Sequence, residues 1–67
     1  MLKYAIAHAN LYDNEIDIVF VEADSWHQAL VKGQFISEED IDNISDIEAL
    51  KDWFFNMDAL INVKEIS

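Results

Sequence analysis

The chain has 67 residues, with 14 Asp and Glu against four Lys, no arginine, no cysteine, and a formal charge of −10. The missing thiols exclude disulfides and thiolate zinc sites. The missing cationic surface speaks against direct contact with nucleic-acid phosphates or an anionic membrane, because both depend on Lys and Arg. At 52% apolar residues the chain is too rich for a disordered acidic tail, so it reads as one small domain over 1–67.

Residues 2–10, LKYAIAHAN, alternate in the period of a strand. Leu2, Tyr4, Ile6 and His8 share one side, and Lys3, Ala5, Ala7 and Ala9 the other. Three alanines on one side predict a closely packed helix there. Leu11 to Glu15 carries Tyr12-Asp13-Asn14, residues suited to a turn. Residues 15–23, EIDIVFVEA, form a second strand pattern, so the two read as an antiparallel hairpin.

Ser25, with Gln28 three places on, predicts the start of a short helix bearing Trp26, Ala29 and Leu30 on one face. Gly33, the sole glycine, fits a left-handed cap at its end. Ser37 predicts a further cap, followed by Glu38, Glu39 and Asp40 at the positive end of a helical turn near 38–44. Ile36 and Ile41 occupy the positions of a hydrophobic staple. Ser45, with Glu48 behind it, predicts the cap of a firmer helix over 46–57. Ile47, Leu50, Trp53, Phe54 and Met57 recur in that helix at helical spacing. Residues 60–66, LINVKEI, read as a third strand. The predicted fold is α+β, in the order β-β-α-α-β: a three-stranded sheet, made of the antiparallel hairpin plus a C-terminal strand, with helices on one face. The place of the third strand, beside the first or the second, is left open by the pattern. Either placement leaves an edge free to pair with a second copy or a partner.

The start of the chain enters a strand pattern at once, without a basic leader, and no apolar run nears the ~20 residues of a membrane span. The expected location is the cytoplasm. His8 and His27 lack metal-ligand spacing and read as a strand-face and a surface histidine. The run Asp40 to Asp46 offers alternate oxygen ligands, but Ile44 and Ser45 stand where a calcium loop needs an oxygen and a glycine. No nucleophile–histidine–acid order or phosphate-cradling glycine loop is present, so no catalytic residue, cofactor or metal is expected, and the protein reads as non-enzymatic.

Partner binding is the remaining class. Glu38, Glu39, Asp40, Asp42, Asp46, Glu48 and Asp52 crowd one segment against the single base Lys51. Asp46, Glu48 and Asp52 fall away from the Ile47/Leu50/Phe54 stripe. Neighbouring like charges cost stability. Duplex DNA carries one negative charge per ~1.7 Å of axis, and a rigid carboxylate surface can occupy a channel built for it. The expected partner is a basic surface of a nucleic-acid-binding protein; the plainer alternative is a solvated helix face. Trp53, Phe54 and Met57 can share a core-facing side, which displaces Phe55. Tyr12 at the turn and Phe55 are therefore candidate exposed contacts, with folding back over the core as the favoured alternative. An adaptor, or a homodimer through an edge strand and these aromatics, is the second functional reading.

The run LYDNE at 11–15, followed by VEADSWHQAL at 21–30, resembles small acidic accessory proteins encoded by bacteriophages, over about the first half of the chain. The resemblance implies an inhibitor of a host enzyme such as a CRISPR effector, a restriction enzyme or RNA polymerase. Some such proteins are nucleic-acid mimics. It carries no functional residue over to this sequence.

Overall fold

A computed structural model describes residues 1–66. Its elements are β1 (Leu2–Asn10), β2 (Glu15–Ala23), α1 (Trp26–Lys32), α2 (Glu38–Ile41), α3 (Ile47–Phe55) and β3 (Ala59–Glu65). The sheet order is β2-β1-β3, with both pairs antiparallel. This is the expected small α+β layout, and it places the third strand beside the first. The outer strands β2 and β3 each keep one unpaired edge.

The register divides the sheet into two chemically different sides. Tyr4, Ile6 and His8 stand opposite Val21, Val19 and Asp17 on β2, and opposite Glu65, Val63 and Ile61 on β3. The helices cover this side. Tyr4, Ile6, Ile61 and Val63 are buried there with Leu30, Leu50, Phe54 and the isoleucines at 36, 41 and 44. The expectation that a helix would pack on the alanines is corrected: Ala5, Ala7 and Ala9 lie on the uncovered side. The reason lies in β1 and β3, whose large apolar side chains Tyr4, Ile6, Ile61 and Val63 share this side while Ala5, Ala7, Asn62 and Lys64 take the other, since burial gains scale with area.

Each helix starts on a polar side chain that accepts a backbone N–H, filling a bond the first turn cannot make within itself. Ser25 accepts from Gln28 N at 3.3 Å and Ser37 from Asp40 N at 3.2 Å. The third cap is Asp46, not Ser45: its carboxylate accepts from Ala49 N at 2.8 Å, and α3 covers nine residues instead of the expected twelve. The staple residues Ile36 and Ile41 are both buried beside the Ser37 cap.

The end of α1 differs from expectation at one residue. Gly33 has φ −75°, and the left-handed position is Gln34, φ 64°. Gln34 N–H donates to Val31 O and Phe35 N–H to Leu30 O, both at 3.0 Å, the paired bonds of a left-handed helix end. Gly33 serves space instead. A Cβ there would lie 2.9 Å and 3.0 Å from two atoms of the Phe35 ring. That ring meets His8 at 5.5 Å between centroids, and Phe54 meets the same imidazole edge-on at 5.7 Å.

The hairpin loop is organised from its first flank. Asn10 Oδ1 accepts from Tyr12 N at 2.9 Å and from Asp13 N at 3.4 Å, and Asn14 closes the loop at φ 57°. Leu11 N–H then donates to Asp58 O at 2.9 Å, which ties this loop to the turn between α3 and β3.

Candidate protein-binding surfaces

Three surfaces emerge, and the sequence pointed to two of them. The first is the acidic helical layer. Glu38, Glu39, Asp42, Asp46, Glu48 and Asp52 are exposed, while Asp40 is half-buried. The first three acids of α2 occupy its opening turn, where the helix dipole favours them. Asp46 spends its carboxylate on the α3 cap, so it is both a surface charge and a structural group. Asp42 and Asp52 carry no such duty. A groove of about 560 Å³ runs between α1 and α2, lined by Ser25, His27, Gln28, Lys32, Glu38 and Asp42 among others.

His27 is not the free surface histidine expected. Its Nε2 lies 2.8 Å from Ile44 O, and a carbonyl only accepts, so Nε2 carries the proton. The imidazole stacks on Trp26 at 3.7 Å. It thereby fastens α1 to the connection between α2 and α3. His8 is the strand-face histidine expected, half-buried between two phenylalanines. Among the described residues no group of three or more His, Asp and Glu is arranged to hold a metal.

The second surface comprises the exposed aromatics. Tyr12 is 86% exposed at the loop and Phe55 62% exposed on α3. The favoured expectation, that both fold back over the core, is overturned. Tyr12 lies in the hairpin loop outside the core cluster, and Phe54 takes the inward position of α3 beside Phe55. Met57, expected on the inner face, is exposed because α3 ends before it. Phe55 borders a second hollow of about 400 Å³, with Lys51, Asp52, Leu60, Ile61 and Asn62.

The third surface was missed. It is the uncovered side of the sheet, whose rows read Ile16–Ala9–Leu60, Ile18–Ala7–Asn62, Phe20–Ala5–Lys64, and Glu22 opposite Lys3. Ile16, Ile18 and Phe20 are 76%, 63% and 65% exposed. The alternation of EIDIVFVEA puts these three on one side and Asp17, Val19 and Val21 on the other. The pattern of β3, with Asn62 and Lys64 set against Ile61 and Val63, was the signal that this side faces out.

The charge is thus unevenly placed. Glu22 is the one acid in those rows, where Lys3 and Lys64 also stand, while seven of the 14 acids lie on or beside α2 and α3 and the other six are Asp13, Asp24 and Asp58 in the connections, Glu15 and Asp17 on β2 and Glu65 on β3. No helix of the described residues is long and apolar enough to cross a membrane. Comparison with protein-family models, curated proteins and solved structures gives no match to this chain.

Proposed function

We propose that this protein acts by binding, presenting its acidic helical layer to a basic surface of a nucleic-acid-binding protein in the cytoplasm of a host cell. The observation that carries this reading is the segregation of carboxylates: the α2–α3 side is dense in exposed acids, and the open sheet side holds one. Opposite charge across an interface accelerates encounter and sets orientation. The resemblance to bacteriophage accessory proteins favours an inhibitor that excludes nucleic acid from its channel, as an anti-CRISPR-type decoy does. The test is capture of partners from bacterial lysate at low and high salt, followed by affinity measurement with Asp42→Lys and Asp52→Lys. Affinity should fall steeply with salt and with either reversal. Affinity indifferent to both rules the reading out.

A second reading has its own observation. Tyr12 and Phe55 are solvent-exposed, and aromatic anchors dominate many interfaces. An adaptor bound through them would tolerate salt and lose affinity on Phe55→Ala.

A further inference from the structure

From the open side of the sheet we infer that a second copy of this chain packs face to face upon it, with β2 of each copy lying over β3 of the other. The rows supply the shape. Ile16, Ile18 and Phe20 form a ridge along β2, and Ala5, Ala7 and Ala9 form a furrow along β1. Beyond the furrow, β3 presents Leu60, Asn62 and Lys64. A two-fold axis parallel to the strands lays each ridge over the other copy's third strand and sets the two furrows against each other between the ridges. Face-to-face sheets stand about 10 Å apart, and the two ridges, one on each flank of the paired furrows, occupy that space.

Charge fits the same arrangement. Glu22 stands at one end of β2 and Lys64 near the same end of β3. Crossing β2 over β3 brings each Glu22, already opposite Lys3 of its own chain, within one row of the other copy's Lys64, twice by symmetry, and places these carboxylates beside the two Lys3 residues near the axis. The dense acids of α2 and α3 remain on the outer sides of both copies.

The exposed area is concentrated on this face. Ile16, Ile18 and Phe20, with Leu60 at 50%, are all at least half exposed. At roughly 150–250 Å² for an aromatic side chain, Phe20 alone leaves on the order of 100–160 Å² open, and the three aliphatic side chains extend that area. The three alanines and the lysine stems bring the face toward the ~800 Å² per partner of a standard interface. The largest apolar patch of a monomer is often functional, and here it occupies a whole side of the sheet.

The experiment is sedimentation equilibrium of the full chain over a dilution series, with circular dichroism as the check on folding. Wild type should be dimeric and dissociate on dilution. Ile18→Lys should loosen the dimer by at least about 100-fold, since it puts a charge in the middle of the ridge that packs on the other copy's third strand. Glu22→Lys should loosen it roughly threefold to tenfold, and adding Lys64→Glu should restore it. This charge exchange decides the matter should Ile18→Lys not fold. A wild-type monomer at every concentration overturns the inference. So does a dimer indifferent to Ile18→Lys and Glu22→Lys, which would place the contact at a strand edge. Neither result bears on the acidic layer, which lies on the other side of the molecule.

Discussion

Asp46 holds two roles that a mutational test must separate. Its carboxylate caps α3 and also adds charge to the helical layer. Asp46→Ala should cost about 1 kcal/mol, measured by urea denaturation, with Asp46→Asn largely retaining the cap. Reversal at Asp46 would therefore mix unfolding with lost binding, whereas Asp42 and Asp52 report binding alone. Ser45 and Asp46 are both competent caps in the sequence; backbone geometry chooses between them, and composition does not. The neighbouring pair Gly33 and Gln34 shows the same limit. A lone glycine at a helix end signals left-handed backbone, yet here the glycine makes room for the Phe35 ring and the glutamine takes the strained position. Two opposite outcomes follow. Gln34→Gly relieves a left-handed residue and should raise stability by up to about 1 kcal/mol. Gly33→Ala should lower it by ~1–2 kcal/mol through the clash with Phe35. Thermal melts of both variants check the pair.

At the scale of elements, period and capping were readable because they are local. Strand alternation located β1 and β2 to the residue, and Ser25 and Ser37 cap as their positions suggest. Which side of the sheet the helices would cover was harder to read. β2 carries apolar residues on both sides: Val19 and Val21 inward, Ile16, Ile18 and Phe20 outward. Its alternation therefore gives two sides without an inside. Only comparison with β3 breaks the tie. The helices are short, and α2 is a single turn, so tertiary packing holds them. Leu50 carries much of that load: it is fully buried where α3 meets the sheet. Leu50→Ala should cost ~2–5 kcal/mol. A 67-residue domain has only about 3–10 kcal/mol in total, so a large unfolded fraction should appear in its denaturation curve. His27→Ala removes the bond to Ile44 O and the stacking on Trp26, and should cost about 1 kcal/mol.

For the molecule as a whole, the proposed contacts carry opposite signatures in salt. Docking on a basic partner loosens as ions screen attraction. Stacking of two copies, each at −10, should tighten as ions screen repulsion. Sedimentation and partner affinity measured over one salt series separate the two. The sheet order has a mechanical consequence as well. Leu2 and Glu65 lie at the same end of adjacent antiparallel strands, and Ile66 N–H still donates to Lys3 O at 2.8 Å. Tension applied between these two ends loads the cross-strand bonds one after another, like a zip, because antiparallel bonds run perpendicular to the strands. The fold should yield at low force in an optical trap, and an unfoldase gripping either end would meet little resistance.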